Sequence, residues 1–370
     1  MKIALFLGAG ASVPFGKPTT KQMKDNLAKY SYKDLDEELL QSFVTNYQYK
    51  DIEYVLQAVR DIKKFSQSLG GKYFIEHGKN GNFSYKNGYL PVDTFILKLD
   101  IVEKTLENAI YENYRWNHDF DGQALGIYDT IFKILKQYSE DIVIFTTNYD
   151  RVIEEYCNNR TEYQCVDGFT RDPPHSELNL WMGDFNVQSD DKLTLVKLYK
   201  LHGSLNWKEH VKHGIVKTNE ESISTDQNFS KNLVILPTRS PKDEEEESPF
   251  TDLLGMFENF MENADACIVV GFSFRDLVIN QTLKQFAFLG GQKPLIVISP
   301  SAMENVCENL LEFPDTPAYD KNKVSSKAPT VYEIWCIPTA ITVENVKHIM
   351  DLAMAHIKAA MEKRKNNLSK

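Results

Sequence analysis

Short, wholly apolar runs alternate with amphipathic stretches along this chain, and the alternation predicts its architecture. Ile3–Leu7 is apolar at every position and has the length of a strand buried on both faces. Further strands are expected at 141–145, 193–201, 233–236, 266–270, 295–298 and near 331–337. Between them the period changes to that of a helix. Thr19-Thr20 can cap a helix running to about Tyr30. Residues 35–69 then carry Leu35, Leu39, Phe43, Ile52, Val55, Leu56, Val59 and Ile62 at helical spacing. Residues 93–114 place Phe95, Leu99, Val102, Leu106 and Ile110 on one face. Further helices are expected at 124–138, 149–157 and 250–263, before the strand at 295–298, and from about Val343. The stretch 70–91, rich in Gly, Asn, Lys and Tyr, reads as a long loop, and 158–192 as an irregular excursion. A β-hairpin follows His202-Gly203, and the acidic run 243–247 reads as a solvated loop.

Strands alternating with helices predict an α/β fold: a doubly wound, Rossmann-like parallel sheet with an inserted helical module at about 20–120. The expected organisation is one domain over 1–340 and a C-terminal helix over 341–370. In such sheets ligands bind beyond the carboxyl ends of the strands. Five expected strand ends, after Leu7, Phe145, Leu201, Val270 and Ile298, carry glycine or polar residues and suggest one shared pocket.

The first of these ends, Gly8-Ala9-Gly10-Ala11-Ser12, lets the backbone turn tightly and approach a ligand. Amides in such a turn can hold phosphate, and Ser12 adds a hydroxyl. The alternative is an ordinary strand-to-loop turn. Two better-known phosphate loops are excluded. Val13 stands where a dinucleotide fingerprint needs its third glycine, and five residues separate Gly10 from Gly16-Lys17, with Pro18 after them, which breaks the P-loop pattern. Asn148 can both donate to and accept from a ribose hydroxyl or a water, and Asp150 can bind a carboxamide; the alternative is a helix cap. His202 is the best candidate base, against a structural histidine. Gly271 and Ser273 can approach a ribose or phosphate, while Asp276 can cap the following helix.

Composition narrows the class. A net charge of −10 argues against a general binder of nucleic acid or anionic membrane. No apolar stretch approaches the roughly 20 residues that span a bilayer, and the N-terminus lacks a signal-peptide pattern, so a cytoplasmic protein is expected. The five cysteines are scattered with no Cys-x-x-Cys pair, which removes a zinc ribbon. His210 and His213 lie close in sequence without nearby Cys or clustered carboxylates, so no metal site is expected.

Taken in order, Gly8–Ser12, Thr146-Thr147-Asn148-Tyr149-Asp150, Leu201-His202-Gly203-Ser204 and Gly271-Phe272-Ser273-Phe274-Arg275-Asp276 resemble the sirtuin-like NAD-binding domain. The resemblance spans about residues 1–300 and is closer to the bacterial branch found in anti-phage defence than to protein deacylases. It implies that Gly8, Ala9, Gly10, Ala11 and Ser12 hold the dinucleotide phosphates and that Asn148 and His202 are the catalytic pair. It further implies that Gly271 and Ser273 contact the adenosine side, Ser299 the adenosine ribose and Asp150 the nicotinamide, with Thr147 in the same binding set. Three departures stand out: there is no four-Cys zinc module, Val13-Pro14-Phe15-Gly16 keeps a Phe but lacks the Arg that usually follows it, and Tyr149 replaces an Ile. The expectation is an NAD hydrolase that uses NAD as substrate and needs no metal. The resemblance also implies NAD depletion in abortive infection, homo-oligomerisation through the helical module and C-terminal helix, and a HerA-type ATPase partner. The alternatives are an NAD or ADP-ribose sensor without turnover, or an NAD-dependent protein deacylase.

Overall fold

The structure, a computed structural model, describes residues 1–27, 37–45, 51–68, 82–85, 88–116, 122, 124–171, 179–187, 193–219, 228–234, 248–289, 293–312, 326–327 and 333–368. The expected ends of the strand 233–236 and of the helix near Tyr30, and the acidic run 243–247, lie outside the described residues. The chain divides into two compact units. One comprises Met1–Lys17, Arg115–Ile235 and Asp243–Lys370, and the other is built on Pro18–Tyr114.

The larger unit holds the sheet. Its centre is β1 (Ile3–Leu7), paired in parallel with β4 (Ile142–Thr146) on one side and β12 (Ala266–Val270) on the other. Beyond β4 lie β8 (Thr194–Lys200) and β5 (Tyr163–Val166), both parallel. Beyond β12 lie β13 (Leu295–Ile298), β15 (Ile334–Ile337) and a short antiparallel edge strand, β14 (Ser326–Lys327). The apolar runs exist because both faces of the sheet are covered. Ile3, Leu5 and Leu7 of β1, with Ile142, Ile144 and Ile268, pack into one core. Ala4 and Phe6, with Val143, Phe145, Cys267 and Val269, pack into the other. The first core is closed by α5 (Leu125–Leu135), α6 (Val152–Asn158) and α9 (Val346–Leu368), which supplies Ile349, Met350, Ala353 and Ile357. The second is closed by α7 (Phe250–Asn263) and α8 (Leu277–Leu289). Each fully buried Leu, Ile or Phe in these layers contributes on the order of 1.5–3 kcal/mol through burial of apolar surface. The result is a doubly wound α/β sheet carrying an inserted helical module.

The excursion expected at 158–192 is ordered in its described parts. Besides β5, the strands β6 (Gly168–Arg171) and β7 (Asn179–Asp184) join β9 (Gly203–His210), β10 (Gly214–Lys217) and β11 (Phe229–Val234) in an antiparallel sheet of order β11-β9-β10-β7-β6. Aromatic packing holds it. Trp207 is fully buried, with Phe169 4.9 Å and Trp181 5.7 Å from it between ring centroids.

The second unit contains α1 (Thr20–Leu27), α2 (Glu37–Val44), α3 (Ile52–Gln67) and α4 (Val92–Tyr114). Thr19 caps α1 reciprocally: its Oγ1 accepts from the Gln22 amide at 3.2 Å, and its own amide donates to Gln22 Oε1 at 2.8 Å. Val55, Leu56, Val59, Leu99, Val102, Leu106 and Ile110 are buried, as their spacing requires. The loop expected at 70–91 is corrected in its described part, where β2 (Asn82–Tyr85) and β3 (Gly88–Pro91) form an antiparallel hairpin. Backbone pairing overrides a composition that alone favours a loop. Among the described residues no helix is long and apolar enough to cross a membrane.

Candidate functional site

The strand order reverses beside β1. From there the chain builds outward through β4 and β8 on one side and through β12, β13 and β15 on the other. Open parallel sheets leave a crevice at such a reversal, outside the carboxyl ends of the strands. Gly8–Ser12, Thr147–Asp150 and Gly271–Asp276 leave the ends of the three central strands, and His202 and Ser299 follow the flanking strands β8 and β13. All five turns therefore lie at one edge of the sheet.

The glycines of the first turn are required by another piece of backbone. The Gly8 amide donates to Val270 O and the Gly10 amide to Gly271 O, each at 2.9 Å. A Cβ on Gly8 would meet the Phe272 Cα at 2.6 Å, and one on Gly10 the Gly271 Cα at 2.8 Å. A Cβ on Gly271, whose φ is +65°, would come within 2.4 Å of the Ala11 nitrogen. The turns after β1 and β12 thus stack backbone on backbone, and side chains of any size are excluded between them. The Ala11 amide also closes internally, on Gly8 O at 2.9 Å. Three of the turn's amides, at Gly8, Gly10 and Ala11, therefore point into the protein. Ala9 starts a short 3₁₀ helix, Ala9–Phe15, capped by Gly16.

Below this turn lies a chain of bonded polar groups. Asn148 Nδ2 donates to Gly8 O at 2.9 Å and to Ser12 Oγ at 3.0 Å. The Asn148 amide donates to Thr146 Oγ1 at 2.9 Å, and that hydroxyl donates to Leu7 O. Ser12 Oγ in turn donates to Asp150 Oδ2 at 2.7 Å, while Asp150 Oδ1 accepts from the Val152 amide at the start of α6. Asp150 is buried, and burial pushes its carboxyl above the ordinary value even though Lys200, Ser12 and the Val152 amide pull the other way. Lys200, 1% exposed at the end of β8, donates to Asp150 O and to Glu154 Oε1, the latter at 2.8 Å. Thr147 is half-buried, and its amide donates to Leu7 O at 3.3 Å.

His202 is held differently. Its backbone follows Leu201, whose amide donates to Thr146 O at 2.8 Å, and precedes Gly203 at φ +75°. Leu205 N and Ser204 Oγ both donate to Tyr149 O. The His202 turn is thereby strapped to the Asn148 turn through backbone. Its imidazole Nε2 lies 2.9 Å from Asp276 Oδ2, both side chains being mostly buried at 13% and 16% exposure. Asp276 also caps α8, accepting from the Ile279 amide at 3.0 Å. The turn before it is stitched from behind: Asn280 Nδ2 donates to Phe274 O, and Asn309 Nδ2 to Ser273 O at 2.9 Å. These bonds hold Phe274 at φ +56°, a conformation costly for a side chain that is not glycine. Ser299 is buried; its amide donates to Ile337 O and its carbonyl accepts from Ala302.

The structure therefore links Asn148, Ser12 and Asp150 through side chains, and His202 to their turn through backbone. Gly271 stacks on the Gly8–Ala11 turn, while Ser273 and Ser299 stand at the same edge on the β12 and β13 side. Glu154, Asn280 and Asn309 carry no sequence pattern that marks them, and Asp276 shows only its capping position. The sequence signal for Lys200 is a lysine within the expected strand 193–201, a signal shared with Lys197. Among the described residues no group of His, Cys, Asp and Glu side chains is arranged to hold a metal ion. The His210 and His213 rings lie 4.7 Å apart, and His210 Nδ1 accepts from the Lys212 amide at 3.1 Å.

Residues 142–313 match the SIR2-like domain. The SIR2-like match begins at β4 and runs past α8, so it contains Asn148, Asp150, His202, Gly271, Ser273, Asp276 and Ser299, and leaves out the Gly8–Ser12 turn. No curated protein sequence matches the chain. Among solved structures, a Sir2 homologue in complex with NAD is 12% identical with a TM-score of 0.38, over 97% of this chain and 90% of that one. A complex of Sir2 with a p53 peptide and NAD+ is 11% identical with a TM-score of 0.38, over 95% and 93%.

Proposed function

We propose that this site binds NAD and cleaves its nicotinamide–ribose bond, giving nicotinamide and ADP-ribose. The observation that carries the reading is the SIR2-like match running through both Asn148 and His202, on turns strapped together at the reversal of the sheet. The glycosidic bond of NAD breaks through an oxocarbenium-like state at ribose C1′, as in glycoside hydrolysis. The bond's electron pair passes to the nicotinamide nitrogen and neutralises its charge, and a water oxygen bonds to C1′. Asn148, fixed by Gly8 O and Ser12, orients the ribose or the water. His202 takes the proton that the water releases. The Gly8–Ser12 and Gly271–Ser273 turns, stacked backbone on backbone, hold the pyrophosphate and adenosine side, with the Ala9 amide, which is not among the three turned inward, as the anion contact, and Ser299 meets the adenosine ribose. Asp150 and Thr147 border the nicotinamide end. The biological setting we propose is depletion of NAD in anti-phage defence, by a homo-oligomer controlled by a HerA-type ATPase.

One feature supports a second reading, binding without turnover: both hydrogen-bond donations of Asn148 Nδ2 end on protein atoms. Incubating the chain with NAD and following products by chromatography separates the two. Nicotinamide and ADP-ribose rising together in equal amounts is the expected result. Intact NAD alongside calorimetric binding of ADP-ribose favours the second reading. Release that needs an acyl-lysine peptide indicates a deacylase, and neither binding nor release overturns all three.

A further inference from the structure

We infer that Asp276 is a positioning residue for His202: it fixes the imidazole as the Nε2–H tautomer, so that Nδ1 is the nitrogen that receives the proton. The inference rests on the hydrolytic reading above. His202 Nε2 and Asp276 Oδ2 are 2.9 Å apart, the distance of a charge-assisted hydrogen bond, and neither side chain is open to water over more than a sixth of its surface. A carboxylate only accepts, so the nitrogen facing it carries the hydrogen and Nδ1 carries the lone pair.

The carboxylate is itself immobilised. Oδ1 accepts from the Ile279 amide at 3.0 Å, the Asp276 carbonyl accepts from the Asn280 amide at 2.9 Å, and α8 begins at the next residue. The positive end of a 13-residue helix favours a negative charge at this place. Asn280 then reaches back to Phe274 O, so the segment between β12 and α8 closes on itself. One side chain thus has two duties. It starts a helix with one oxygen and aims an imidazole with the other.

During hydrolysis the proton released as water bonds to C1′ passes to Nδ1. His202 becomes an imidazolium beside the Asp276 carboxylate, which keeps its charge and takes no proton. The carboxylate stabilises the charge as it forms and prevents the ring from turning Nε2 toward the substrate.

The test uses full-length protein labelled with ¹⁵N-histidine, with the His202 signals assigned by comparison with His202→Gln. A protonated Nε2 and an unprotonated Nδ1 at His202 are expected in the wild type. Asp276→Asn keeps a helix cap but removes the charge, and kcat for nicotinamide release is expected to fall about 10- to 100-fold with KM nearly unchanged. Asp276→Ala is expected to give mixed His202 tautomers. An Nδ1–H tautomer in the wild type, or a wild-type kcat in Asp276→Asn, overturns the inference. A wild-type chain that releases no nicotinamide overturns the hydrolytic reading, and the nitrogen spectrum still decides the tautomer.

Discussion

Asn148 stands on a column of buried groups, each bonded to the next, whereas His202 is aimed by a single carboxylate. Under Asn148 come Ser12, Asp150, Lys200 and Glu154, each bonded to the next and mostly sealed from water. Beside His202 comes Asp276, which is anchored to the start of a helix. The difference separates two tasks. A rigid polar column sets the position of an orienting amide, and it cannot be altered without stranding a buried charge. The His202–Asp276 pair rests on one side-chain contact of 2.9 Å and lies outside that column. Damage to the first half should appear as lost stability, and damage to the second as lost chemistry in a folded protein.

The largest expected effect comes from Lys200→Met, which leaves Glu154 and the Asp150 carbonyl without their buried cation. Unfolding free energy should fall by about 3–5 kcal/mol in urea titrations. A loss below ~1 kcal/mol would place the column's stability elsewhere. Gly271→Ala comes next. It puts a Cβ 2.4 Å from the Ala11 nitrogen at a φ of +65°, so a loss of about 2–4 kcal/mol is expected from strain and overpacking together.

A smaller effect depends on pH. Burial raises the Asp150 carboxyl above its unfolded value, so the folded state keeps this proton longer than the unfolded state does. Stability from Asp150 is full below the unfolded pKa of ~3.9 and declines as pH rises through the raised folded value. Asp150→Asn should remove that decline, and its stability relative to wild type should therefore improve across the same window. Glu103 in the helical unit has the opposite sign. Burial pushes its carboxyl up, but bonds from Lys63 and Arg60 outweigh burial and bring it below the ordinary value. Its contribution is present above the unfolded pKa and is lost as pH falls, so Glu103→Gln should flatten acid unfolding instead. The smallest effect on stability is expected from His202→Ala, within about 1 kcal/mol of wild type, since the Leu201 and Leu205 backbone bonds remain.

How much of this was legible in the sequence follows from which interactions are local. Ile3–Leu7 and Ala266–Val270 could be read as buried strands because both faces are covered, so every position is apolar. Tyr163–Val166 could not, because it is short, half-buried at its two central positions and paired with Thr194–Lys200 further along the chain. Asn179–Asp184 could not, because it is only partly buried and its Trp181 packs on Trp207, well removed along the chain. The need for glycine at 8 and 10 was visible, but its reason, contact with Gly271, was not. Asn148 and His202 stood out as polar residues after apolar runs. Lys200 and Glu154 are 46 residues apart, and no local pattern joins them. Asp276 showed its capping role because capping is local, and concealed its contact with His202, which comes from the far side of the sheet's centre.

The most direct measurement is made on His202→Ala and Asn148→Ala beside wild type, reading ADP-ribose affinity, urea midpoint and nicotinamide release from NAD on the same preparations. His202→Ala is expected to keep its midpoint and its affinity while nicotinamide release falls by at least about 100-fold, the scale of a lost general base. Asn148→Ala should lose release as well, with a lowered midpoint. Nicotinamide release at the wild-type rate from His202→Ala would contradict the division of labour between the two halves of the site.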